Sequence, residues 1–155
     1  MQDVTARRGD AELEQRVRRD LAFLFEKSGA TVSSNAVDAF NNSEVRVVAG
    51  NLEFQFAKNG REQEFRVAVG PRDGHGVWEL VQVALAASTG EDASALTFRI
   101  SCSDDPSKLS YMGLTQLAAL LKPRFARLNE AFASENYSAT RSRMAKIERK
   151  VHPSA

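Results

Sequence analysis

The sequence predicts an α+β fold: an N-terminal helix, a four-stranded antiparallel meander plus a fifth strand, and C-terminal helices packed mainly on one sheet face. Three observations predict it. Apolar residues recur at helical spacing from Leu13 to Phe25, alternate with polar ones from Val45 to Val69, and return to helical spacing from Leu114 to Phe132. The chain has 155 residues, 43% of them hydrophobic and 26% charged. That suits a single soluble domain, residues 1–155, able to bury roughly 70% of its unfolded surface.

Residues 1–9 read as a loose arm. Asp10 is a helix N-cap, because its carboxylate can accept an N–H of the first turn. Leu13, Val17, Leu21, Leu24 and Phe25 then form one apolar face of a helix over about 10–28, and Gly29 supplies the left-handed residue that ends it. Val32 and Val37 suggest a strand with a bulge within Thr31 to Phe40, followed by a turn at Asn41-Asn42-Ser43. Strands follow at 44–48, 52–56 and 65–69, joined by tight turns at Gly50-Asn51 and Asn59-Gly60. Phe54, Phe56 and Phe65 would share the face that meets the first helix.

Gly70-Pro71 ends the meander, and Asp73 to Gly76 leads into a helix over about 77–88 that buries Val77, Leu80, Val81, Ala84 and Leu85. Leu96, Phe98, Ile100 and Cys102 alternate with polar residues, which predicts the fifth strand at 95–102, with a loop at 103–107. The helical rhythm that follows runs to about 133 and is interrupted at Pro123, where a kink or break is expected. A last helix at about 137–150 presents Tyr137, Met144, Ile147 and Val151, and 152–155 is a frayed tail.

Charge and cysteine content exclude several classes. Lys and Arg total 21 against 20 Asp and Glu, so the surface as a whole is not built for nucleic acid. Cys102 is the sole cysteine and His75 and His152 the two histidines, which leaves neither a disulfide framework nor a metal cage. No apolar run follows the charged N-terminus, and Val77 to Ser88 is too short to span a bilayer, so no membrane partner is expected. With an unpaired cysteine, this reads as a cytoplasmic protein.

The charge is unevenly placed. From Lys122 onward, eight basic residues face three acidic ones, a balance of +5 that leaves −4 for the preceding 121 residues. Such a split can steer a charged partner. Arg141, Arg143, Lys146, Arg149 and Lys150 are its candidate binding residues, although a solvated helix face with cations near its C-terminus has the same pattern. No aromatic residues interleave with them to stack on bases, which weakens the case for single-stranded nucleic acid. Glu53, Gln55, Glu62, Glu64 and Arg66 form a second candidate surface, the sheet face that helices leave open.

Other constellations are weaker. Gly70 to Gly76 joins a strand to a helix, as phosphate loops do, but lacks the lysine and hydroxyl of a nucleotide-binding loop. A connecting loop is the simpler reading, and Arg72 and His75 would be its contacts to a small anion. Glu91, Asp92, Asp104 and Asp105 lack the alternating oxygen spacing of a calcium loop. Cys102 falls on an apolar register, and Ser101, Ser103 and Ser107 have no glycine-framed turn to expose a nucleophile. Neither catalysis nor a cofactor is expected.

The run Leu-Ala-Phe-Leu-Phe at 21–25, the meander with Leu-Glu-Phe-Gln-Phe at 52–56, and Glu-Asn-Tyr-Ser-Ala-Thr-Arg at 135–141 resemble a group of small uncharacterised bacterial proteins. In size and element order the chain is similar to immunity proteins of bacterial toxin systems, many of which are compact α+β modules without catalysis. The resemblance carries no binding residue across. It implies a non-enzymatic module that holds another protein, a toxin or effector. The alternative is a nucleic-acid-associated regulator acting through the basic C-terminal helices.

Overall fold

The computed structural model describes residues 9–59, 65–74, 78–96 and 106–151. In chain order the elements are α1 (Ala11–Asp20), α2 (Ala22–Lys27), β1 (Thr31–Val37), β2 (Ser43–Ala49), β3 (Leu52–Lys58), β4 (Phe65–Pro71) and β5 (Glu79–Leu80). They continue with α3 (Val81–Thr89), α4 (Pro106–Leu121), α5 (Phe125–Ala131) and α6 (Tyr137–Val151). The strands form one antiparallel sheet in the order β1-β2-β3-β4-β5. The α+β class and the helix–meander–helix order are as predicted.

Asp10 caps α1, accepting the Leu13 N–H on Oδ1 at 2.9 Å, and its Oδ2 accepts from the Ser43 hydroxyl at 2.7 Å. Asn35 of β1 donates to the Asp10 carbonyl (3.2 Å) and to Glu14 (2.8 Å), so the start of α1 is fastened across β1 and β2. The single helix expected over 10–28 is two. Leu21 leaves helical geometry at φ −113°, ψ 37° without a Gly or Pro to mark it, and beyond it Phe23 sits edge-on to Phe125 of α5 at 6.3 Å. Gly29 takes φ +64°, as the helix-ending residue requires.

The sheet register explains which side is buried. Val45 pairs with Phe56, which pairs with Val67; Val47 pairs with Phe54, which pairs with Val69. These six side chains are at most 2% exposed and meet Leu13, Val17, Leu21 and Leu24 together with apolar residues of α3, α4, α5 and α6. The bulge expected in β1 lies between Val32 and Ser34. At the β2–β3 turn Gly50 adopts φ +60°, and a Cβ there would lie 2.3 Å from Asn129 Oδ1. That close approach lets Asn129 of α5 accept the Asn51 N–H at 2.7 Å, joining the sheet end to the helices.

Two element assignments change. The helix expected over 77–88 begins at Val81, and Glu79 and Leu80 instead pair with Val69 and Ala68 as the fifth strand. Leu80, with ψ 141°, is extended and completes the sheet edge before the helix starts. Among the described residues the fifth strand is thus Glu79–Leu80, and the first two residues of the strand expected at 95–102 are not extended. Ala95 and Leu96 belong to a 3-10 turn, Ala93–Leu96, that Asp92 caps by accepting the Ser94 N–H at 3.0 Å. Residues 97–102 lie outside the described residues. Pro106, expected in a loop, opens α4, where its missing N–H costs nothing. Pro123 breaks the helical run as predicted, within the 3-10 segment Lys122–Arg124.

Candidate protein-docking surface

The outer sheet face is built by the same alternation that builds the core. Glu44, Arg46 and Val48 of β2 and Glu53 and Gln55 of β3 are half-buried between buried neighbours, and Ala57 is half-buried beside buried Phe56. Cross-strand pairing aligns Ser34, Arg46, Gln55 and Ala68 in one row, and Ala36, Glu44, Ala57 and Arg66 in the next. Arg46 Nε donates to Glu44 Oε1 at 3.0 Å, Gln55 Nε2 donates to the other Glu44 oxygen, and the Ser33 hydroxyl donates to Glu53 Oε2 at 3.1 Å. The Arg46 guanidinium also stands 5.4 Å from the ring centre of Trp78, which is 36% exposed. The predicted Glu53, Gln55 and Arg66 thus share this face, in three different rows. Glu62 and Glu64 lie outside the described residues.

One end of the face carries a feature the sequence reading missed. Phe40, at the tip of the β1–β2 hairpin, is 78% exposed. The tip is not loose. Asp38 Oδ1 accepts the N–H groups of Phe40 (2.8 Å) and Asn42 (3.0 Å), and Oδ2 accepts from Asn42 Nδ2 at 3.1 Å. The Asp38 N–H donates to the Asn42 carbonyl at 3.0 Å, and Asn41 closes the turn at φ +65°. The Asn42 and Phe40 amides hold the Asp38 carboxyl below its ordinary pKa. Beside the tip is a hollow of about 510 Å³, lined by Ala36, Val37 and Ala57 with Glu44, Lys58 and Arg66 around them. The signal for Phe40 was present in the sequence as an aromatic residue inside the polar turn Asp38 to Asn42.

The basic C-terminal region divides into engaged and outward-facing residues. Arg124 makes a two-pronged bond to Glu91 (2.7 and 2.9 Å), which pulls the Glu91 carboxyl down to about 2. Arg143 donates Nε to the Ala87 carbonyl at 3.0 Å, near the C-terminal end of α3. Thr140 and Met144 are the buried face of α6, while Arg141, Lys146, Arg149 and Lys150 are exposed and form no salt bridge among the described residues. All five predicted α6 cations are exposed, and Arg143 differs in being hydrogen-bonded to Ala87 and Thr140.

Arg72 lies at the opposite end of the sheet from Phe40 and donates Nη1 to the Gly50 carbonyl at 3.1 Å. His75, its predicted companion, lies outside the described residues, as do Cys102, Asp104 and Asp105. Glu91 binds Arg124 and Asp92 caps the 3-10 turn, so these two acids hold side-chain and backbone partners. Among the described residues no three or more His, Cys, Asp or Glu side chains come together as a metal site would need. Nor is any described helix long and apolar enough to cross a membrane. Compared with protein-family models, with curated proteins and with solved structures, the chain matches none.

Proposed function

We propose that this chain is a non-enzymatic module that holds another protein, in the manner of an immunity-like protein that occludes a toxin or effector. The observation that carries the reading is Phe40, largely exposed to solvent on a turn whose backbone Asp38 ties. Aromatic anchors that enter a partner's pocket supply most of the affinity of many interfaces, and a preset loop loses little entropy on binding. The partner is accordingly a protein with an apolar pocket for Phe40, and its rim meets the mixed charges of Glu44, Lys58 and Arg66. Acidic patches on that partner would be drawn by Arg141, Lys146, Arg149 and Lys150, which raises the rate of encounter more than the final affinity.

The nucleic-acid alternative rests on those same four exposed cations of α6. One experiment separates the two. Amide hydrogen exchange is measured on the chain alone and mixed with a purified protein co-isolated from native lysate, and in parallel with duplex DNA and with RNA. Protection of the β1–β2 tip and the outer strand face by the protein supports docking there. Protection confined to α6, produced by nucleic acid and lost steeply with salt, supports the regulator instead.

A further inference from the structure

At the end of the sheet away from Phe40, three connections enclose a cleft of about 610 Å³. Asn51 comes from the β2–β3 turn, Arg72 and Asp73 from the segment after β4, and Phe132, Ser134 and Tyr137 from the α5–α6 connection and the first residue of α6. Its walls are tied together. The Arg72 N–H donates to the Asn51 carbonyl at 3.0 Å, Asn51 Nδ2 donates to the Asn129 carbonyl at 3.0 Å, and the rings of Phe132 and Tyr137 pack 5.3 Å apart. Two polar groups on this lining have capacity left, of which Arg72 is the one open to the cleft. Arg72 uses Nη1 on the Gly50 carbonyl, and a guanidinium has four further N–H groups. The Tyr137 hydroxyl is buried and has no hydrogen-bond partner among the described residues, an uncommon state for a buried phenol.

The geometry points to a binding site for a small organic monocarboxylate with an aromatic or branched apolar body. Its carboxylate would lie against Arg72, with the Ser134 hydroxyl as a further donor, and its body against the Tyr137 ring. Asp73 on the same lip sets the charge. Arg72 and Asp73 together leave the lining with no net charge, which disfavours a phosphate dianion and leaves a monocarboxylate to be held by the hydrogen bonds of the Arg72 fork. The site stands on observations independent of the docking surface, so either can fail without the other.

Ligand-observed NMR with benzoate, benzyl alcohol and inorganic phosphate as probes tests this on the full chain. Benzoate is expected to show saturable binding, with benzyl alcohol and phosphate each at least about tenfold weaker, the size of a lost charge-assisted contact. Arg72→Gln should remove the preference for benzoate over benzyl alcohol. Ser134 is exposed, so Ser134→Leu should block the mouth while leaving the fold intact. The inference is overturned if benzoate binding is not saturable, if benzyl alcohol or phosphate binds equally well, or if neither Arg72→Gln nor Ser134→Leu changes it.

Discussion

The carboxylate of Asp38 accepts the backbone N–H of Phe40 at 2.8 Å, and this bond fixes the backbone that carries the most exposed large apolar side chain among the described residues. A phenylalanine on a loose loop would have to be ordered at each encounter. On this turn the ordering is done during folding.

Asp38→Ala removes three acceptor contacts from the tip and leaves the strands paired. The amides of Phe40 and Asn42 should then exchange faster with solvent, while those of Val45 and Val47 keep their protection. The tip also has a pH dependence. The folded Asp38 carboxyl lies below its ordinary 3.8, so the stability it contributes is present above that pH and is lost as pH falls through the lower folded value. Exchange at Phe40 that is unchanged in Asp38→Ala would show that the carboxylate does not set the turn.

Gly50 and Gly29 share a left-handed backbone but not a neighbourhood. A Cβ on Gly50 meets Asn129 Oδ1 at 2.3 Å, whereas one on Gly29 meets nothing within 4 Å. Alanine at either position should cost about 1–2 kcal/mol for the backbone conformation alone. Gly50→Ala should cost more, because the Asn51–Asn129 contact must also give way. Urea denaturation of both variants checks this, and equal losses would contradict the role assigned to Asn129.

Glu79 of β5 and Glu148 of α6 form a carboxyl pair. Burial, and next the charge and hydrogen bond of Glu148, raise the Glu79 carboxyl above its ordinary 4.5, and Glu148 Oε1 is buried with no hydrogen-bond partner among the described residues. The sign follows from linkage: ionising Glu79 costs more in the folded chain, so the pair lowers stability as pH rises above 4.5 through the folded value. Glu148→Gln removes the repulsion and offers a donor, so its Tm should exceed that of the parent at pH 7, and the difference should shrink as pH falls below 4.5. A lower Tm for Glu148→Gln at pH 7 would contradict this.

Much of this fold was legible because its signals are local. The alternation of Val45, Val47, Phe54 and Phe56, the Asp10 cap and the break at Pro123 each depend on residues close in sequence. The edge strand Glu79–Leu80 was missed because its pairing is set by the free edge of β4, a tertiary feature, and Asp92 turns the first two residues of the strand expected at 95–102 into a 3-10 segment. Surface chemistry was harder to read. A run of cations does not reveal that Arg143 is drawn to the Ala87 carbonyl and Arg124 to Glu91. Phe40 escaped notice because periodicity finds residues that face inward, and this one faces out.

The most direct measurement of the central claim is calorimetric titration of the co-isolated partner with the parent chain and with Phe40→Ala. The substitution removes an exposed side chain and should leave Tm unchanged. The account predicts a one-to-one complex whose affinity falls about 30-fold or more in Phe40→Ala, the loss typical of an aromatic anchor. Neutralising Arg141, Lys146 and Arg149 should mainly slow association, which stopped-flow mixing would resolve. Equal affinity of the parent and Phe40→Ala for the partner would contradict the assignment of this face as the docking surface.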